Sequence, residues 1–487
     1  MARRPRLMAA ALAVAVALPL AALPAFAGET AQTPAAAGDT PQSPEALLAR
    51  WQAKPDSIGR GLRLQDAYVA ADRQKEIATV FRDHQKANPD DQTAAFLYGR
   101  IKGGSSGIRM MRKAMKANLG RAAGDTAGLL RGWTTLMLAE VAAGNAKEAE
   151  QAATRVTSMR GLAEDWTYLG WIQESLLSAP DRARESYTRA LRANEKHVRA
   201  RLALAMILAD EGELEAAESM TTKAVAAEPD NAKAQLNHGL VLAMAGKTKT
   251  AGAAYKRALA CAGDDASALA SIASAYLDIE EHDLAQEAVT KALRLDPDNA
   301  EALSNAGLIA LEKDNLSAAA EHLKKAAKLS PKSAHTHYLQ GICAQRQGRG
   351  SAAVNHFRKA MSLDSESVEY VTALGLAQLD KGATSSAISM FKRAIKMAPK
   401  DPDLHVQLGI AYTKHRKTKL AVKAFEEAVE VAPTDPRPRY YLAILYGDNL
   451  GKAKEAIVHL KAYKHLGGKE PSALAWLDEL LEELGQG

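Results

Sequence analysis

Three short stretches of this 487-residue chain carry residue types that could do chemistry. Gly103-Gly104-Ser105-Ser106-Gly107 spells G-x-S-x-G, the pattern in which a strand-to-helix elbow lifts a serine nucleophile above a sheet. Gly246-Lys247-Thr248 spells the end of a loop that cradles phosphates. His335-Thr336-His337 offers two imidazoles two residues apart, a residue type that could ligate a metal. Each motif depends on the elements that position it.

Those elements do not suit the motifs. The residues before Gly103 follow a helical pattern, so no strand leads into an elbow, and the stretch reads as an inter-helix turn. Lys102, Arg109, Arg112 and Lys113 flank it, so its free N–H groups could instead hold an anion. A phosphate loop needs a glycine five residues before Gly246, where Val241 stands. Imidazoles two apart on a helix diverge, and no H-E-x-x-H or cysteine pair supports a metal site. His238 and His405 read as packing or groove-lining residues. No carboxylate pair or nucleophile–histidine–acid order stands out. The chain is therefore expected to have no catalytic residues, no cofactor and no metal.

The elements themselves repeat. Ala217, Ala251, Ala285, Ala319, Ala353, Ala387 and Ala421 recur every 34 residues. Seven positions later come Ala224, Ala258, Ala292, Ala326, Ala360, Ala394 and Ala428. Twelve positions before the first series stand Ala205, Gly239, Ala273, Gly307, Gly341, Gly375 and Gly409. Pro229, Pro297, Pro331, Pro399 and Pro433 close the units, with Gly263 and Ser365 in the same slot. In the unit Ala266 to Asn299, Leu269, Ile272, Ala273 and Tyr276 mark one helical face. Glu281-His282-Asp283 reads as a turn, and Ala285, Ala288, Val289, Ala292 and Leu293 mark a second helix. Two such helices cannot bury an apolar face alone, so units must stack. Ala or Gly at a helix crossing lets the backbones approach closely.

On these residues the repeat resembles the tetratricopeptide repeat (TPR). Trp166-x-x-Leu169-Gly170 looks like the family's opening W-x-x-L-G, and Tyr187, Tyr255, Phe357, Phe391 and Phe425 fill its aromatic slot. Seven units from 198 to 435 are in phase. Units at about 163–197 and 436–469 fit with one extra residue in the inter-helix turn. About three divergent units precede them in 45–162, carried by Phe96, Gly99, Met111 and Ala114, and by Trp133, Leu136 and Ala149. The fold expected is an all-α, right-handed superhelical solenoid of stacked antiparallel helix pairs. The array runs over 163–469. Residues 470–487 form a capping helix and tail, with Leu474, Leu477, Leu480 and Leu481 opposite Asp478, Glu479, Glu482 and Glu483.

Residues 1–27 read as a secretory signal peptide: Arg3, Arg4 and Arg6, an apolar run from Leu7 to Leu18, and Ala25-Phe26-Ala27 as the cleavage site. Residues 28–44 are rich in Ala, Thr, Pro, Gln and Gly and read as a disordered leader. The expected location is the bacterial periplasm or the medium, after cleavage near Ala27. An uncleaved membrane anchor is the alternative. The net charge of +6 falls to about +3 without the three leader arginines, with acids and bases interleaved, which argues against nucleic acid as a partner. Cys261 and Cys343, 82 residues apart, cannot reach each other in a stacked array. Cys261 occupies the slot of Leu295, Leu329, Leu363, Met397 and Val431 and reads as a core thiol.

The TPR resemblance implies that the first helix of each unit lines a concave partner surface. The family's carboxylate clamp is not complete here, since only Lys233, Asn237 and Asn305 echo it. The groove expected is apolar, from Leu202, Met206, Leu236, Leu240, Leu308, Tyr338, Ile342, Leu376, Val406 and Ile410, and suited to a protein or peptide segment. The competing reading buries part of this stripe between neighbouring helices. The expectation is thus an exported, non-catalytic interaction scaffold with a protein or peptide partner and membrane contact only through its N-terminus, and the TPR resemblance implies work in envelope assembly or export. Two alternatives are an anchored adaptor and a regulatory subunit of an enzyme on another chain.

Overall fold

A computed structural model describes residues 43–53, 55, 57–118 and 125–483. Among them every regular element is a helix. The segments expected to be a signal peptide with its cleavage site and a leader, up to residue 42, lie outside the described residues, as does Leu484 at the end of the expected cap. Pro44, placed in the leader by sequence, already starts a helix that runs to Ala53.

Twelve helix pairs follow, the first being Ile58–Ala70 with Gln74–Ala87. From Val198 onward the first helices begin 34 residues apart, as Ala232, Ala266, Ala300, Ala334, Val368, Pro402 and Pro436. The residue before each start is an N-cap. Asn231, Asp265, Asn299, Ser333, Ser367, Asp401 and Asp435 each accept a bond from a free backbone N–H of the first turn. A left-handed residue ends each first helix, at Gly212, Gly246, Glu280, Asp314, Gly348, Gly382 and Arg416. The turn in the Ala266 unit therefore falls on Ile279–Glu281, and the second helix already starts at His282.

The alanine ladder is packed out. Ala217, Ala224, Ala251, Ala258, Ala285, Ala292, Ala319, Ala326, Ala360, Ala387, Ala394, Ala421 and Ala428 expose nothing, and Ala353 almost nothing. The glycine slot faces a second-helix residue sixteen positions on. A Cβ on Gly341 would stand 2.5 Å from the Phe357 ring, one on Gly409 2.6 Å from Phe425, and one on Gly307 2.5 Å from Leu323. Gly239 faces Tyr255 and Gly375 faces Phe391 in the same way. Where the first-helix residue is alanine, Ala205 or Ala273, the residue sixteen on is the smaller Thr221 or Val289. The volume of the pair is thus roughly conserved along the array.

Two expectations are corrected here. The extra residue at Ala163 to Val198 and at Pro436 to Pro471 does not lengthen the inter-helix turn. It is absorbed in a π turn that ends the first helix, at Ile172–Leu176 and Leu445–Asn449. The slot of Cys261 is not a core slot either. Leu295 and Leu329 are exposed there, and Cys261 is half-buried, while Cys343 is buried; both thiols are free.

The helices fall into two compact units, one ending at Cys261 and one beginning at Ala262. In the first, the divergent pairs Gln92–Lys102 with Gly104–Asn118 and Thr126–Ala142 with Ala146–Met159 bury Phe96, Met111, Ala114, Leu136 and Ala149, as the sequence suggested. Helix Ile58–Ala70 skips a unit and packs on Thr126–Ala142, where a Cβ on Gly59 would meet the Gly128 backbone at 3.3 Å. The second unit ends in the helix Pro471–Glu483, which buries Ala473, Leu477 and Leu480 and leaves its acids in solvent.

If glycine and ring are volume partners, Gly409→Ala lowers stability by about 1–2 kcal/mol, even though alanine is the better helix former. Phe425→Val also destabilises alone, while the double variant, which copies the Ala273/Val289 pair, recovers part of the loss. Urea midpoints of the four proteins measure the coupling; simple additivity would refute the pairing.

Candidate functional site

The ten residues expected to line the groove divide into two sets. Leu202, Met206, Leu236, Leu240, Leu308 and Val406 are buried between helices. Tyr338, Ile342, Leu376 and Ile410 are half-buried, and all four lie in the second unit, on the first helices Ala334–Arg346, Val368–Asp380 and Pro402–Lys414. Within each compact unit some first helices of adjacent repeats touch directly, as Val198–Asp210 touches Ala232–Met244 and Ala266–Asp278 touches Ala300–Glu312, and side chains at such contacts are covered. Tyr338 anchors the half-open set, with Tyr370 5.2 Å and Phe357 5.7 Å away, ring to ring.

Part of the same face is polar. Asn305 donates to the Ala270 carbonyl and the Ser274 hydroxyl, both at 2.9 Å. Ser271 and Ser274 donate to the Glu301 carboxylate at 3.3 Å. Burial pushes the Glu301 carboxyl above its usual range, and the two serine hydroxyls only partly oppose this. In the first unit the Tyr187 hydroxyl donates to Glu174 at 2.6 Å. Burial raises the Glu174 carboxyl and lowers the Lys233 ammonium. Of the clamp-like residues, Asn305 is thus spent on helix packing, and Asn237 is fully buried.

A feature that the sequence did not announce lies in the first unit. A cleft of about 680 Å³ opens among helices between Gly104 and Ala193, walled by Trp133, Trp166, Leu136 and Leu169. Arg112 grips the fully buried Glu140 with two bonds of 2.8 Å and also faces Glu148 at 3.4 Å. Arg189 lies 4.9 Å over the Trp166 ring. Gln173 donates to Glu150 and accepts from Ser186. The charges on its wall are largely paired with one another.

The chemical motifs dissolve into turns. Ser105 is exposed at the start of helix Gly104–Asn118, directly after another helix, and Arg112 is committed to Glu140 rather than to an anion at that helix start. Gly246 is the left-handed residue that ends its first helix, with Lys247 N–H bonded to the Leu242 carbonyl at 2.8 Å. His337 sits 3.1 Å from both Gln340 and the Pro331 carbonyl, and its ring stacks on His356. His405 bridges Glu427 and the Pro399 carbonyl in the equivalent slot, and His238 meets Thr221 at 3.0 Å. Among the described residues no three His, Cys, Asp or Glu side chains converge as a metal site would require.

Comparison with known proteins follows the repeat. One family model described as tetratricopeptide repeat matches residues 216–266, 271–334 and 338–402, and a second of the same description matches 177–237 and 378–437. Together they span more than half of the chain. Among solved structures, the APC/C hetero-tetramer Cut9–Hcn1 aligns at 14% identity and TM-score 0.48, over 90% of this chain and 92% of that one. MamA from Desulfovibrio magneticus RS-1 aligns at 21% identity and TM-score 0.33, over 35% and 96%. Pseudomonas aeruginosa pilF aligns at 19% and 0.38, over 45% and 99%. No curated protein matches the chain.

The raised Glu301 carboxyl makes a pH prediction. A folded value above the unfolded one means the fold favours the neutral acid. That contribution is complete below the unfolded value, near 4.5, and is lost as pH rises through the folded value. Glu301→Gln should therefore be more stable than the parent at pH 7, with the difference closing toward pH 4. Thermal melts across that range measure it, and an unchanged difference would contradict the assignment.

Proposed function

The chain belongs to the tetratricopeptide repeat family, and from that premise we propose that it is an exported scaffold whose second unit holds a protein or peptide segment against its first helices. Interaction scaffolds are what this repeat generally builds, and such proteins are generally non-catalytic. The observation that carries the finer reading is the set Tyr338, Ile342, Leu376 and Ile410. Ile342, Leu376 and Ile410 are large apolar side chains at one register on consecutive first helices, Tyr338 stands one turn before Ile342, and all four are left half-covered by the fold. A row of large apolar side chains left partly wet side by side is the kind of surface that a second protein completes. An extended or helical apolar segment fits this row, with exposed Asp380 and Lys414 at its edge as the polar rim.

Export is the second part of the proposal and rests on residues 1–27: a basic start, an apolar run broken by Pro19 and Pro24, and Ala25-Phe26-Ala27. The apolar run is short of the ~20 residues that a membrane-spanning helix needs. Within the described residues no helix is long and apolar enough to cross a membrane. The partner is proposed to be a protein of the cell envelope; a regulatory role toward an enzyme on another chain would use the same surface.

The expected outcome is specific. Ile342→Ser, Leu376→Ser and Ile410→Ser together should abolish partner capture from an envelope extract while the helical circular dichroism of the parent is retained at the capture temperature, with a lowered melting midpoint because all three also pack against core residues. Glu at the buried Leu240 would be uninformative, because a charge there unfolds the unit. Retention of the same partners by the triple variant would remove this row as the site. Sequencing of the mature N-terminus tests export separately: Gly28 as the first residue fits cleavage, and an intact Met1 start would favour the anchor.

A further inference from the structure

A separate group of side chains in the first unit faces one another across three successive first helices. Arg100 comes from helix Gln92–Lys102, Arg131 from Thr126–Ala142, and Arg63 with Asp66 from Ile58–Ala70. The skipped-unit contact at Gly59 and Gly128 draws the first and third of these helices together. Asp66 bridges the two half-buried arginines, one carboxylate oxygen 2.8 Å from Arg100 and the other 3.0 Å from Arg131. Gln65, almost fully buried and itself donating to the Leu97 carbonyl at 2.7 Å, accepts from Arg100 at 2.9 Å and fixes its fork. Arg63 stands one turn before Asp66, exposed, and forms no ion pair among the described residues.

The charges do not balance. Arg100 and Arg131 share the Asp66 carboxylate and Arg63 adds a third guanidinium one turn away on the same helix, which leaves two positive charges in excess. Burial lowers Arg131 from its ordinary value, and the like charges of Arg63 and Arg100 add to this while Asp66 opposes it. Holding like charges together is costly for a purely structural network. The same arrangement is what an oxyanion needs: oriented planar forks with donors to spare. A single carboxylate would compensate one of the two excess charges, whereas a phosphoryl dianion matches both and offers three acceptor oxygens.

We propose that Arg63, Arg100 and Arg131, organised by Gln65 and Asp66, form a binding site for one phosphoryl dianion. The source is either a free phosphate ester or a phosphorylated side chain of a bound segment. The site uses residues other than the apolar row of the second unit, so each reading stands or falls without the other.

Calorimetric titration of the full chain at low ionic strength tests it, with inorganic phosphate, acetate and a phosphoserine peptide as probes. Phosphate should bind saturably at one site and acetate should not. Arg63→Gln, which removes an exposed and unpaired group, should leave the fold intact and weaken phosphate roughly fivefold or more. Asp66→Asn removes the competing anion and should tighten it. Tighter binding of the phosphoserine peptide than of phosphate identifies a phosphorylated segment as the source, and equal binding a small ester. Absence of saturable phosphate binding, binding unchanged by Arg63→Gln, or weaker binding in Asp66→Asn with an unaltered melt would overturn the site.

Discussion

The contact between the glycine slot of each first helix and the residue sixteen positions later on the second helix sets the geometry of everything else. At Gly239, Gly341, Gly375 and Gly409 a ring lies flush against the backbone where a Cβ would be. Each fully buried ring removes enough apolar surface from water to contribute on the order of 2–3 kcal/mol. It also sets how closely the two helices of a pair approach. With that distance fixed, the alanines at Ala251, Ala285 and their equivalents become the floor of the next contact, and any larger side chain would lift the stack. Ala273 opposite Val289 shows the same constraint met by a smaller pair.

Because the constraint acts on small residues at fixed spacing, it was written plainly in the sequence. The 34-residue ladder, the glycine slot, the aromatic slot and the closing proline could all be read without coordinates. The N-cap series Asn231, Asp265, Asn299 and Ser333 was equally periodic, and it could have been found from its chemistry alone. Burial of the groove stripe could not. Whether Leu308 or Leu376 is covered depends on how closely a neighbouring first helix of the same unit packs on it, and helix periodicity carries no information about that. The one-residue insertions were visible at Ala163–Val198 and Pro436–Pro471, but not their absorption as π turns. The arginine group was invisible, because Arg63, Arg100 and Arg131 meet only through a contact that skips a unit.

Function follows from what the stacking leaves over. Alanines and rings that hold pairs together have no chemistry to offer a partner, and the motifs that looked chemical are the turns and helix starts of the same repeat. What remains is a short half-covered apolar row on the first helices of the second unit and, in the first unit, a cleft whose charges are mostly paired among themselves. In the proposed reading that row is where a partner segment would be held. The cost of the arrangement is local: half-buried Glu301, on a first helix, and Glu174, in the π turn that ends one, stand where an apolar residue would pack with less penalty.

The central claim is that partners are held by the first-helix row and not by the exposed leucines and valines of second helices. Site-specific photo-cross-linking of the full chain in producing cells tests it most directly. The photoreactive side chain is placed in turn at Leu376 and Ile410 on first helices, and at Leu420 and Val458 on second helices, where both are exposed. The account predicts a discrete cross-linked partner from Leu376 and Ile410 and none from Leu420 or Val458. Cross-links confined to Leu420 and Val458 would place the partner on the opposite helices and contradict it.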